Sequence, residues 1–254
     1  MLLAAGVDEV VELEPTPDLL GFDPEAFIRN LRARWAFTSI VEGQDFRFGR
    51  NRTGTVETLR RLGLAEGFHL EVVPAVETML LDRSVVTASS TLARWLIRHG
   101  RVRDAASVLG RPYGLVAPTA RGDQRGRSIG VPTMNLDHGS ALLPADGVYA
   151  GLATLPDGRA FAAAISVGTK PTFGTSRRTC EAHLVDATFP LDWYGFPLRL
   201  DFRHWVRGMI AFGSLDALVT QMRRDIDATR QRIADDAGAA CGRDGTSPTV
   251  GALS

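Results

Sequence analysis

The chain has 254 residues, 44% of them hydrophobic, and its 29 basic and 29 acidic residues leave no formal net charge. That length supplies the core of one large domain or two modest ones, and the even balance offers no basic excess to draw nucleic acid. No apolar run reaches a membrane span and the N-terminus lacks a basic-then-apolar signal pattern, so a cytoplasmic enzyme or binding protein with no membrane partner is expected.

From Val7 to about Leu109 the pattern alternates strand and helix. Val7 to Leu13 places Val10, Val11 and Leu13 among acids, which reads as a short strand. Asp23-Pro24-Glu25 supplies a cap, a proline at the first helical position and an acidic first turn. Phe27, Ile28 and Leu31 then follow at helical spacing. Ser39 to Gly43 predicts a strand, Val56 to Leu62 a helix, and His69 to Val73 a further strand. Ser89-Ser90-Thr91 caps a helix through His99, and Val102 to Leu109 ends at Gly110. Strand-helix alternation of this kind implies a parallel, Rossmann-like sheet.

After Arg111-Pro112-Tyr113 the grammar changes. Gly147 to Thr154 and Arg159 to Val167 flank the turn Pro156-Asp157-Gly158. Thr179 to Val185 alternates, with Cys180, Ala182 and Leu184 on one face and Glu181 and His183 on the other. Leu198, Leu200, Phe202 and Val206 alternate with Arg199, Asp201 and Arg203 in the same way. Short strands of this kind predict a small antiparallel β-barrel. Ser214 caps a helix whose Leu215, Leu218, Val219, Met222 and Ile226 form one apolar stripe, expected to lie on the barrel. The resulting division is an α/β domain over 1–110, an all-β domain with a C-terminal helix over 111–235, and a tail over 236–254 whose Ala/Gly/Ser/Pro mixture reads as disordered.

Several chemistries are excluded outright. Lys170 is the only lysine and sits in Gly-Thr-Lys-Pro, so no Walker-type P-loop is present. Cys180 and Cys241 provide neither a disulfide framework nor metal-ligand spacing. The five histidines, at 69, 99, 138, 183 and 204, include no His-x-Gly-His pair.

The most informative stretch runs from Gly122 to Asn135. Glycines at 122, 126 and 130 let backbone N–H groups approach a polyphosphate, with Arg125 and Arg127 adding charge. Pro132 pushes Val131 toward extended geometry, so Thr133 and Asn135, two apart on a strand, share a face. Their neutral oxygens suit Mg²⁺, which also takes phosphate oxygens and water. A Gly-rich loop leading into an ordinary strand fits the same residues. Glu181 has the chemistry of a general base, although taken singly it reads as a surface glutamate balanced by Arg177 and Arg178. His183 shares that face and reads as solvated or hydrogen-bonded. Arg207, after a strand and before an irregular loop, suits an anion or a planar ring, or simply a solvated surface. Phe46 and Phe48, interleaved with Arg47 and Arg50, fit a ligand platform and core filler equally.

The order of the motifs narrows these choices. Gly-Val-Pro-Thr-x-Asn, Leu-Pro-Ala-Asp-Gly-Val-Tyr, Val-Gly-Thr-Lys-Pro-Thr-Phe-Gly, Cys-Glu-Ala-His-Leu-Val-Asp, Trp-Tyr-Gly and Val-Arg-x-x-x-x-Phe-x-Ser follow one another along the chain. In that sequence they closely resemble the riboflavin kinase module of the bacterial bifunctional riboflavin kinase/FAD synthetase family. Gly-Gln-Asp-Phe-Arg-Phe-Gly-Arg, Glu-Val-Val-Pro and Ser-Ser-Thr resemble its FAD synthetase half.

The resemblance implies a riboflavin kinase that uses ATP and Mg²⁺, with riboflavin/FMN and ATP/ADP as its partners. It implies that Thr133 and Asn135 hold Mg²⁺ and nucleotide phosphate, that Gly122 and Arg127 lie in a flap over the ATP phosphates, that Glu181 activates the ribityl 5′-hydroxyl, and that Arg207 opens a loop closing over the flavin. Met134 replaces the family's usual Ala, and Met209-Ile210-Ala211 replaces a more charged segment.

The N-terminal half departs further from the family. The family's first strand and its His-x-Gly-His motif are missing, and Ser89-Ser90-Thr91-Leu92-Ala93-Arg94 keeps one arginine of two. Loss of one preorganised charge-stabilising group costs on the order of 10²–10³ in rate, so adenylyl transfer is expected to be absent. The rival readings are a complete bifunctional enzyme whose start lies upstream, and a flavin-binding protein without turnover.

Overall fold

The computed structural model describes residues 2–121, 126, 129–170, 175–188 and 194–241. The chain divides after Val76 into two compact units.

In the first unit each helix begins where a local cap dictates. Thr16 Oγ1 accepts from Leu19 N at the start of α1 (Pro17–Gly21). Asp23 Oδ1 accepts from Ala26 N at 2.7 Å to start α2 (Pro24–Trp35). Thr55 and Thr58 form a reciprocal capping box on α3 (Val56–Glu66), which ends at Gly67 in the left-handed region. Between and after these helices lie β1 (Ser39–Gly43) and β2 (His69–Val73), paired in parallel from Ser39↔His69 to Gly43↔Val73. A parallel pair needs a crossover, and α3 provides it. The core beneath is Ile28, Phe48, Leu59, Leu62 and Phe68.

One local expectation changes here, and one open choice closes. Residues 7–13 form no strand; Val10, Val11 and Leu13 remain exposed, because alternation among acids supplies no ladder partner. Phe48 is core rather than platform: it is buried and stacks on Phe46 with ring centroids 5.6 Å apart. A Cβ at Gly54 would come within 2.7 Å of the Phe48 ring, so the close approach requires glycine.

The second unit opens with an antiparallel hairpin that the strand-helix pattern had hidden, β3 (Glu77–Met79) with β4 (Val85–Thr87). Asp82 accepts from Ser84 at its turn, and Arg83 takes φ 68° there. Then come α4 (Ser90–Arg98), capped by Ser89, and α5 (Val102–Leu109), stopped by Gly110 at φ 68°. Both helices bury apolar faces in this unit. Leu96, Ile97 and Ala105 cluster with Leu80, Tyr113 and Leu142, and Val102 joins the barrel core.

The remaining strands are β5 (Tyr113–Ala120), β6 (Met134–Leu136), β7 (Gly147–Thr154), β8 (Ala160–Lys170), β9 (Thr175–Leu184) and β10 (Pro197–Gly208). They close into a six-stranded antiparallel barrel in the order β10-β5-β6-β9-β8-β7. Alternation sorts their side chains as expected up to Phe202, beyond which bulges in β10 break the period before Val206. Ala163, Ile165, Val167, Cys180, Ala182, Leu198, Leu200 and Phe202 are all fully buried inside, and their partners in alternation face outward.

Helix α6 (Leu215–Cys241) lies on β7, β8 and β10. Its N-terminus is capped by Ser214, whose Oγ accepts from Ala217 N at 3.2 Å. The apolar stripe is altered in two ways. Leu215 is 60% exposed, and the most deeply buried helix positions are polar, Asp225 and Thr229. The helix also continues through residues 236–241, expected to begin a disordered tail. Alanine-rich composition sustains a helix already nucleated against the barrel. Residues 242–254 lie outside the described residues.

Candidate active site

The site begins with the pairing of the barrel's shortest strand. β6 pairs with β9 in the register Met134↔Ala182, Asn135↔Glu181 and Leu136↔Cys180. Leu136, Cys180 and Ala182 are buried inside the barrel, so Asn135 and Glu181 share the outer face, directly opposite one another. Thr133 comes just before β6, and its hydroxyl donates to Glu181 Oε2 at 3.3 Å. Three oxygen-bearing side chains from two segments thus converge, all of them half-buried.

The approach to Thr133 is held from two sides. Val131 N donates to the Gly126 carbonyl at 2.7 Å, and a Cβ at Gly126 would collide with the Val131 carbonyl oxygen. His183 Nδ1 lies 2.8 Å from the Pro132 carbonyl oxygen. This histidine, two residues beyond Glu181 on the same face, is hydrogen-bonded to the segment that carries Thr133. Ser166 faces Glu181 from the other side, on β8; the sequence reading did not single it out, and only the register identifies it.

Arg178, read as a balance for Glu181, instead pairs with Asp146 at 2.6 Å and donates to the Pro144 carbonyl. Its own carbonyl oxygen is 3.0 Å from His138 Nε2. These contacts fasten the start of β9 to the Leu-Pro-Ala-Asp-Gly segment. Behind Glu181, burial and then the charge of Glu181 push the Cys180 thiol up to about 12, so it stays a neutral core side chain.

Arg207 occupies the end of β10 with its fork engaged. Its Nε and Nη2 donate to Asp225 on α6, the closest contact being 2.7 Å, and its Nη1 donates to the Gly208 carbonyl. The remaining expected residues, Gly122 and Arg127, lie outside the described residues, as does the Arg177 side chain.

No group of three or more His, Cys, Asp or Glu side chains able to hold a metal occurs among the described residues. The Thr133 hydroxyl, Asn135 carboxamide and Glu181 carboxylate form a hard-oxygen set instead. That set fits a divalent cation that keeps water and substrate phosphates as its other ligands. No helix of the described residues is long and apolar enough to cross a membrane.

Comparison with known proteins gives the family. Residues 109–233 match the riboflavin kinase family and residues 1–87 the FAD synthetase family. The bifunctional riboflavin kinase/FMN adenylyltransferase of Escherichia coli (strain K12) is 31% identical over 208 residues, 80% of this chain and 62% of the relative. The protein of the same description from Pseudomonas fluorescens is 30% identical over 234 residues, 91% of this chain and 73% of the relative. A solved structure described as a macrolide-efflux protein from Streptococcus pneumoniae superposes with a TM-score of 0.76 at 30% identity, covering 90% of this chain and 72% of that one. The chain therefore matches under two thirds of the length of the Escherichia coli relative. With both family regions in order along one chain, this protein belongs to the bifunctional riboflavin kinase/FMN adenylyltransferase family.

Proposed function

We propose that this chain is a riboflavin kinase, transferring the γ-phosphoryl group of ATP to the ribityl 5′-hydroxyl of riboflavin to give FMN and ADP. The observation that carries the reading is the Thr133 hydroxyl on the Glu181 carboxylate, with Asn135 directly across the ladder. Phosphoryl transfer needs positioning, charge neutralisation and a group to receive the proton of the nucleophile. Glu181 takes that proton as the 5′-oxygen bonds to the γ-phosphorus and the bond to the β–γ bridging oxygen breaks. Thr133 and Asn135 would hold Mg²⁺ and orient the nucleotide phosphates, and Gly122 and Arg127 are assigned to binding the same nucleotide. When bound, Mg²⁺ neutralises phosphate charge. Arg207 carries the loop on the flavin side. The kinase step is assigned to 111–235, and the region 1–110 to an adenylyltransferase-like domain of the FAD synthetase type.

Incubation of the purified chain with riboflavin and MgATP is expected to yield FMN, resolved by chromatography. Glu181→Gln should lower kcat by about 10²–10⁴, the usual worth of a positioned base, with an unchanged circular dichroism spectrum. A folded wild-type chain that forms no FMN overturns the reading. For the adenylyl step we propose no activity in these 254 residues, supported by the lack of a His-x-Gly-His pair and the single arginine in Ser89–Arg94. FAD formed from FMN and MgATP at a rate comparable to the kinase step would defeat that part alone.

A further inference from the structure

We propose that Asp225 is a positioning residue for the phosphoryl acceptor, acting through Arg207 on the loop at 208–213; this rests on the kinase reading above. Asp225 is an acid on the buried side of α6. It is 5% exposed, at i+3 from Met222 and i−4 from Thr229. A carboxylate at that depth needs partners, and it has several. Arg207 Nε approaches both its oxygens at 3.0 Å, Arg207 Nη2 donates at 2.7 Å, and Gln221 Nε2 donates at 2.9 Å. Thr229 Oγ1 donates to its backbone carbonyl at 2.8 Å. The two side chains are 17% and 6% exposed, which distinguishes this pair from the other ion pairs of α6.

The ladder gives this anchor a target. Arg207 is the last residue but one of β10, its guanidinium carbon lies 5.7 Å from the Phe212 ring centroid, and its Nη1 holds the Gly208 carbonyl. The next side chain, Met209, rests on bare backbone: a Cβ at Gly168 would stand 3.3 Å from Met209 Cγ. Gly168 pairs with Thr179, and Ser166 pairs with Glu181. Positions two apart on a strand share a face, so Met209 lies against the outer face that also carries Glu181, one two-residue step (about 7 Å) along β8 from Ser166, the residue paired with Glu181. Met209 and Ile210 are 47% and 54% exposed there. A loop pinned at its base, with two apolar side chains free beside the base, forms a wall for the ring of the acceptor rather than for the nucleotide.

Steady-state kinetics with riboflavin and MgATP varied in turn test this. Asp225→Asn should raise KM for riboflavin about tenfold, leaving KM for ATP within about twofold. Asp225→Glu should restore part of the loss, and Arg207→Lys should reproduce the selective rise. The double variant Arg207→Gln/Asp225→Asn, neutral and able to keep one hydrogen bond, should be no worse than the worse single variant. An unchanged riboflavin KM in Asp225→Asn, or equal rises for both substrates, overturns the proposal. If Asp225→Asn does not fold, the double variant decides by the same ratio. A wild-type chain that binds riboflavin in a fluorescence-quenching titration yet makes no FMN sinks the kinase reading alone, and the ratio of riboflavin Kd values then judges Asp225. A wild-type chain that binds no riboflavin overturns both.

Discussion

His183 Nδ1 stands 2.8 Å from the carbonyl oxygen of Pro132, so the residue two beyond Glu181 holds the backbone immediately before Thr133. The strand that carries the carboxylate thus also grips the segment that carries its hydroxyl partner. His183→Ala should lower kcat about tenfold without unfolding the barrel, because a small displacement of a positioned group costs one to two decades in rate. His183→Asn, which retains a donor, should recover part of the loss. FMN formation measures both. A wild-type rate in His183→Ala would remove the histidine from the positioning scheme.

Gly126→Ala tests the other support of Thr133. The added methyl would meet the Val131 carbonyl oxygen, and the hydrogen bond from Val131 N to the Gly126 carbonyl gives that backbone little room to retreat. Activity should fall at least tenfold through misplacement of Thr133, while the thermal midpoint moves by only a few degrees.

Barrel stability should depend on Phe202, which is fully buried between Tyr113 and Tyr149 with ring centroids 6.1 and 5.5 Å away. Phe202→Ala is expected to cost about 3–5 kcal/mol in urea unfolding, since the cavity it leaves adds to the lost transfer energy. A cost under about 1 kcal/mol would mean that the surrounding rings collapse into the space.

Asp82 offers a pH test away from the site. Hydrogen bonds from the Ser84 hydroxyl and backbone, then from Arg101, lower its carboxyl to about 2 from 3.8. Because the folded value is the depressed one, its contribution to stability is complete above the unfolded value and fades as pH falls through the folded one. An NMR titration of the Asp82 side chain should therefore be centred near pH 2, and Ser84→Ala should move the midpoint up toward 3.8. An unshifted midpoint in wild type would contradict the turn geometry.

Features fixed by neighbouring residues were legible before any coordinates. The caps at Asp23 and Ser89, the stop at Gly110 and the two-residue alternation of β9 each depend on a few consecutive side chains. The β3–β4 hairpin was not legible, because its strands are three residues each and its turn places Arg83, not glycine, at positive φ. The meeting of Thr133 with Glu181, 48 residues apart, depends on the pairing of β6 with β9, which no local pattern encodes. The resemblance to a family suggested a shared role for them, and the register supplied Ser166. Asp225 left a signal that went unused: it falls on the apolar stripe between Met222 and Ile226, where an acid implies a buried cation nearby. Leu215 misled in the opposite sense, because periodicity continues past the point where the helix leaves the barrel surface.

The ring of strands is completed through β6, only three residues long. Few backbone bonds join it to each neighbour, so the cylinder is weakest along the seam that carries Asn135. Amide protons of 134–136 should exchange with solvent sooner than those of β7 or β8, and nucleotide seated on Thr133 and Asn135 would slow that exchange by stitching the seam shut. Substrate would then act as a fastener, holding the cylinder closed during turnover.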